Sequence, residues 1–259
     1  MKKKTVATVI RSEEIGLDIY SLWLETELAE DAHPGQFVGV YTDRDSTLLP
    51  RPISICEVNE EKTALRLVYR VVGKGTKEFS TLQSGHKVAL LGVLGNGFPL
   101  TEAKGKRAVV MGGGIGVPPI VELAKALSRE ASGVTAVIGY RDAATFLLDE
   151  LKQYAEVLIA TDDGSLGTKG TVIDALNENK LNPDIIYACG PMPMLRGIKY
   201  WAEPKGIPAY ISLEERMACG VGACLGCVCK TVKEDSHSHV NNARICTDGP
   251  VFDSREVDI

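Results

Sequence analysis

From Ala64 to Val72, Leu65, Leu67, Tyr69 and Val71 alternate with Arg66, Val68, Arg70 and Val72. This period of two predicts a β-strand with one apolar face and one face carrying two cations, which need an anion or water opposite them. Short runs of this kind, separated by turn residues and with no long helical period, fill residues 1 to about 100 and predict an antiparallel β-barrel. From Arg107 the pattern changes. Predicted strands at 108–111, 134–140, 157–161, 185–189 and 209–213 alternate with predicted helices at 118–129, 145–153, 171–177 and 193–201. Apolar strand runs interleaved with helices predict a doubly wound parallel sheet covered on both faces, with ligands at the C-terminal strand ends where the order reverses. Beyond residue 213 only two short runs, 228–232 and 243–247, read as strands, paired across the polar stretch Lys233 to Asn242. The chain is therefore expected to be multidomain, β followed by α/β, with modules at 1–101, 102–212 and 213–259.

Composition changes this picture little. The 259 residues are 44% hydrophobic and 24% charged, as in ordinary globular proteins. A net charge of -5 with scattered Lys and Arg argues against nucleic acid, and no apolar run approaches the ~18 residues that span a bilayer. Lys2, Lys3 and Lys4 resemble the start of a secretory signal, but the apolar run Thr5 to Ile10 is too short to complete it, so a cytoplasmic, reducing setting is expected. No Ser-His-Asp set or H-E-x-x-H motif is present, and His33 and His86 sit in turn-like segments.

The cysteines carry the strongest chemical signal. Cys219, Cys224 and Cys227 follow a C-x4-C-x2-C spacing, with Cys246 further on, the run that holds a [2Fe-2S] cluster. Between the first three, the side chains other than Val221 and Leu225 are small or absent, so backbone amides can turn toward the sulfurs. Two other readings stand beside it: a zinc site using Cys224 and Cys227 with His237 or His239, and a disulfide framework, which the expected reducing setting disfavours. Cys56 and Cys189 lie in apolar strand-like stretches where a small buried residue is the ordinary reading. Cys229 shares a strand face with Cys227, as packing or as a substitute ligand.

Two further segments suit phosphate groups. Arg51 and Ser54 lie on one predicted strand, and Gly73-Lys74-Gly75-Thr76 opens a short helix with Thr76 as its expected N-cap; an arginine fork beside a helix start suits a pyrophosphate. Gly112-Gly113-Gly114-Ile115-Gly116 joins a strand to a helix, which allows a dinucleotide pyrophosphate close to the backbone, although Pro118 stands where the G-x-G-x-x-G pattern wants Gly or Ala. The turn Cys189-Gly190-Pro191 ends a later strand.

These segments resemble the ferredoxin-NADP reductase superfamily, whose barrel holds FAD with an Arg-x-aromatic-Ser strand and a glycine loop. The resemblance implies FAD contacts from Arg51, Pro52, Ile53 and Ser54, from Val68, Tyr69 and Arg70, and from Gly75 and Thr76. It implies NAD contacts from Gly112, Gly113, Gly114, Gly116, Gly190 and Pro191, with Cys189 as a wall of the hydride site. Ile53 departs from the pattern, so flavin stacking is assigned to Tyr69. Tyr140-Arg141 and Asp162-Asp163 are candidate ribose residues that leave NAD and NADP both open.

A nicotinamide exchanges two electrons as a hydride and an iron-sulfur cluster passes one, so a flavin between them is the expected converter. The order of modules and the stretch Leu213 to Cys229 resemble the electron-transfer subunits of NAD-linked dihydroorotate dehydrogenase, over essentially the whole chain. That resemblance implies FAD, a [2Fe-2S] cluster on Cys219, Cys224, Cys227 and Cys246, and NAD. It also implies an FMN-containing catalytic subunit as partner, two of each subunit per complex, in pyrimidine synthesis. Other expectations are a hydrogenase- or ferredoxin-linked reductase on the same scaffold, and a zinc-stabilised interaction module without redox activity.

Overall fold

The computed structural model describes residues 3–43, 47–234 and 239–259. His237 and Lys2, named above, lie outside the described residues. Strands β1 (Lys3–Gly16), β2 (Ile19–Glu25), β3 (Phe37–Val40), β4 (Arg51–Val58), β5 (Ala64–Arg70) and, after helix α1 (Lys74–Phe79), β6 (Lys87–Leu94) close into a barrel. Its strand order is β1-β2-β5-β4-β3-β6, antiparallel throughout. On β5 the alternation behaves as the sequence predicts. Leu65, Leu67 and Tyr69 enter the barrel core, while Arg66, Val68 and Arg70 turn toward the next module.

That module is built from β7 (Arg107–Gly113), α2 (Pro118–Leu127), β8 (Gly133–Tyr140), α3 (Leu148–Lys152), β9 (Glu156–Thr161), β10 (Thr168–Lys169), α4 (Val172–Glu178), β11 (Ile185–Cys189), α5 (Met192–Ala202) and β12 (Ala209–Ser212). The sheet order is β10-β9-β8-β7-β11-β12, parallel, with one more strand at its edge. Alternate residues of β7 face opposite layers. Ala108 and Val110 pack with α2 and α3, Val109 and Met111 with α4 and α5. The chain runs outward from β7 in one direction and then resumes at β11 on its other side, so the topological switch lies between these two strands.

The C-terminal segment departs from expectation. Strands β13 (Val228–Lys230) and β14 (Asn242–Arg244) pair over three residues only. Beyond Lys230 the chain turns to its own C-terminus: Thr231 bridges Val257, and the Val232 amide donates to Glu256 O at 2.9 Å. Val251 and Phe252 belong to β15 (Val251–Asp253), the antiparallel seventh strand beside β12. Two apolar residues in a three-residue strand carry too little period to signal it.

Barrel and sheet are joined by buried polar contacts. Arg66 donates to Ser21 Oγ at 3.0 Å, to Glu57 at 3.3 Å and to Glu150 of α3 at 3.2 Å, so the cation's counter-charges come from both modules. On α2, Glu122 accepts from the Val58 amide at 2.9 Å and Lys125 donates to the Val58 carbonyl at 2.7 Å. Lys125→Ala leaves that carbonyl without its amine and is expected to cost about 1–3 kcal/mol, read as a lower urea midpoint at unchanged slope.

Candidate functional site: a nucleotide cleft, a barrel cradle and a thiol loop

At the switch point the two glycine turns lock together. A Cβ on Gly116 would lie 2.3 Å from the Cys189 carbonyl oxygen and 2.7 Å from Gly190 Cα, so only hydrogen fits there. Gly114, at φ +53°, has open space over its α-carbon. Above them is a cavity of about 520 Å³ whose wall includes Gly113, Gly114, Gly116, Gly190 and Pro191, with Arg70 reaching in from the barrel. Arg141 and Asp162 flank it further out, at the ends of β8 and β9. Gly112 lies behind this surface, packed on Val117 and Ile120. Cleft, backbone turn and following helix suit a dinucleotide.

Cys189 is 1% exposed and sits directly behind Gly190, not on the cleft surface itself. Burial, reinforced by the Glu214 charge and opposed by a Ser212 hydrogen bond, pushes its thiol well above the usual range, so it is a neutral packing group. Glu214 is accessible from the cleft, yet enough protein surrounds its carboxyl to raise its pKa by desolvation. Glu214 carried no signal in the sequence, because a Glu after a strand is ordinary.

The barrel cradle forms where β4 begins. Arg51, Pro52, Ile53 and Ser54 are all half-buried, in register with Val40, Gly39, Val38 and Phe37 of β3. The Arg51 guanidinium donates to the carbonyls of Thr47, at 3.0 Å, and Leu49, which fixes it over the start of α1. A Cβ on Gly75 would stand 2.2 Å from Arg51 Nε. Thr76 is not the N-cap: Gly73 holds that place, and the Thr76 hydroxyl reaches back from the third helical position to the amides of Val72, at 3.0 Å, and Gly73, at 3.2 Å. Gly75→Ala pushes the guanidinium off its seat. Loss of one charged hydrogen bond, about 1.5–3 kcal/mol, predicts roughly 10–100-fold weaker flavin retention, checked by fluorescence after gel filtration.

Tyr69 does not offer a stacking face. Its ring is 3% exposed, stacked on Tyr20 at 6.1 Å and edge-on to Phe79 at 5.9 Å. Its buried hydroxyl is nevertheless unpartnered among the described residues. An orphaned hydroxyl is costly unless a ligand satisfies it. Arg51, the Gly75 approach and this hydroxyl fit a bound flavin dinucleotide.

In the C-terminal module the four thiols form two neighbouring pairs. Cys219 and Cys224 are within hydrogen-bonding reach of each other, as are Cys227 and Cys246, and Cys246 also feels the charge of Cys219. The Ile245 amide donates to the Cys227 carbonyl at 2.8 Å, which brings the distant fourth cysteine to the loop. Amides turn toward sulfur as the sequence suggested: Val221 N–H donates to Cys219 and Gly226 N–H to Cys224, both at 3.4 Å. The Val221 hydrogen bond holds the Cys219 thiol down to about 6, whereas burial and then Cys227 push Cys246 up to about 11. No three of the described His, Cys, Asp or Glu side chains are disposed around a single ion. Two pairs suit a diiron rhomb, in which each tetrahedral iron takes two thiolates and two sulfides. The outer pair borders solvent, with Val221, Cys224 and Leu225 exposed, and the inner pair is buried. Cys229, on β13, belongs to neither pair; burial raises its thiol. Cys56 is core, at 0% exposure.

An antiparallel barrel, a switch-point cleft and a thiol loop together define a reductase-like electron carrier of the ferredoxin-NADP reductase fold, with an iron-sulfur module at its end. The model of the iron-sulfur cluster binding domain of dihydroorotate dehydrogenase B matches residues 214–258. The dihydroorotate dehydrogenase B (NAD(+)) electron transfer subunit of Geobacillus sp. (strain WCH70) is 43% identical over 261 residues, covering 99% of both chains. That of Shouchella clausii (strain KSM-K16) is also 43% identical, covering 99% of this chain and 98% of its own. The chain belongs to this family of electron transfer subunits. Among solved structures, that of an NADH-dependent reduced ferredoxin-NADP oxidoreductase superposes with a TM-score of 0.86 at 28% identity, over 98% of this chain and 90% of the other. A ferredoxin NADP+ reductase from Neisseria gonorrhoeae, 16% identical and covering 83% and 94%, shares the fold with a TM-score of 0.67.

Proposed function

We propose that this chain is the NAD-reducing subunit of a two-subunit dihydroorotate dehydrogenase. It takes electrons from the reduced FMN of a catalytic partner, through a [2Fe-2S] cluster and FAD, to NAD+, in pyrimidine synthesis. The observation that carries this reading is the unbroken sequence of three sites in one fold: thiol loop, barrel cradle and nucleotide cleft, with Arg70 reaching from the second into the third. The flavin would supply the conversion between single-electron and hydride transfer, and the cluster the single-electron inlet. The residues do the rest. Cys219, Cys224, Cys227 and Cys246 hold the iron; Arg51 to Ser54, Val68 to Arg70, Gly75 and Thr76 seat the flavin. The turns at Gly112 to Gly116 and Gly190-Pro191, backed by Cys189, place the nicotinamide nucleotide.

The exposed apolar tips Val221 and Leu225 beside Cys224 suit a docking face for the FMN subunit. The complex is proposed as two subunits of each kind, in the cytoplasm, with working modules 1–101, 102–212 and 213–259. No described helix is long and apolar enough to cross a membrane. A second reading, a ferredoxin-linked reductase subunit, draws on the likeness to the NADH-dependent reduced ferredoxin-NADP oxidoreductase.

Co-expression with a dihydroorotate-oxidising flavoprotein separates the two. NAD+ reduction by dihydroorotate that needs both chains, in a co-purifying brown complex, supports the first reading. Absence of NADH formation with the partner present overturns it.

A further inference from the structure

One residue ties the barrel to the segment that follows Cys246. Asn96, two residues past β6, donates through Nδ2 to Asp248 O at 3.0 Å and to Val251 O at 2.8 Å. Its Oδ1 accepts from the Val251 amide at 3.0 Å, and its own amide donates to Gly249 O at 2.6 Å. From the barrel side, Gln36 Nε2 holds the Gly95 carbonyl at 2.9 Å.

The clasp lies at the end of a packed route from cradle to thiols. Ser54 on β4 is in register with Phe37 on β3, and Phe37 with Leu94 on β6. Leu94 then meets the thiol loop, for a Cβ on Gly220 would lie 3.1 Å from Leu94 Cδ1 and 3.5 Å from Leu91 Cδ2. Phe37, Leu94, Cys227, Ile245, Cys246 and Phe252 share one buried cluster. The apolar contacts bring the loop to the barrel but slide easily, because dispersion is non-directional. Four directional hydrogen bonds fix both the distance and the angle.

We propose that Asn96 is a positioning residue for electron transfer between the barrel's flavin and the cysteine loop, and that it acts by fixing the segment 248–251 against the end of β6. The inference rests on the electron path proposed above. Electron transfer weakens steeply with the gap between centres, so a loop released from its clasp slows the step without any change in either site. Among the described residues, Asn96 makes no hydrogen bond to a cradle, cleft or thiol residue named above.

The test uses the full chain with flavin and cluster bound, reduced by NADH under argon in a stopped-flow instrument. Flavin bleaching and cluster bleaching are followed separately, with iron content and thermal midpoint as controls. Asn96→Ala is expected to reduce its flavin at the parent rate and its cluster about threefold or more slowly, and Gln36→Ala to show the same split more weakly. Cluster bleaching at the parent rate in Asn96→Ala, or loss of iron from that variant, overturns the inference. If the parent's own cluster is not reduced by NADH, the proposed electron path fails first, and the two failures are distinguishable.

Discussion

Replacing Cys224 by Ser is expected to stop dihydroorotate-dependent NAD+ reduction while NADH oxidation by ferricyanide, taken directly from the flavin, stays at the parent level. Cys224 is the most exposed of the four thiols, so its loss leaves the fold in place. A hydroxyl is a poor iron ligand at neutral pH. Changes in the surroundings of a metal ligand alone cost 10–100-fold in affinity, so removing the ligand itself predicts a loss of about a hundredfold or more in cluster occupancy and transfer. Iron and sulfide analysis reads occupancy independently of turnover. Cys227→Ser is expected to behave differently, because Cys227 is buried with Leu94, Ile245 and Phe252; both activities should fall together. Loss of both activities in Cys224→Ser would mean that the cluster also holds the module folded.

Gly116→Ala is expected to remove hydride exchange at the other end of the path. The added methyl would stand 2.3 Å from the Cys189 carbonyl oxygen and 2.6 Å from its carbon, and both are backbone atoms, so no side chain can swing aside. Overpacking of this kind costs about 1–3 kcal/mol. The displacement falls between the two turns that shape the nucleotide cleft, and misplacement by an ångström costs about a hundredfold in rate. Flavin reduction by NADH should drop by that order, while flavin and cluster absorption survive. A parent-like rate would show that the close approach of the two turns does not position the nucleotide.

Much of the site was legible because it is written in local signals. C-x4-C-x2-C lies within nine residues, and the Arg51-x-x-Ser54 and glycine-loop segments are equally short. Strand period over Ala64 to Val72 correctly separated the core face from the face carrying Arg66 and Arg70, although the strand itself ends at Arg70. Thr76 misled because its hydroxyl does bond the helix start, yet from inside the first turn, where the propensity for Ser and Thr looks the same. Tyr69 misled because an aromatic on a strand beside cradle residues reads alike whether it faces ligand or core; only the neighbours Tyr20 and Phe79 decide.

By itself the sequence determined the residue types, their spacing and the class of chemistry: four thiolates for iron, glycine turns for phosphates, alternating apolar positions for barrel and sheet. These depend on covalent reach and backbone torsion, which act over a few residues. The tertiary structure decided which thiols pair, that β15 completes the nucleotide sheet, that Glu150 neutralises Arg66, and that Asn96 clasps a segment more than 150 residues away. Those contacts exist only once barrel, sheet and thiol loop have packed, because directional bonds between distant segments form where buried apolar surface has already brought them together.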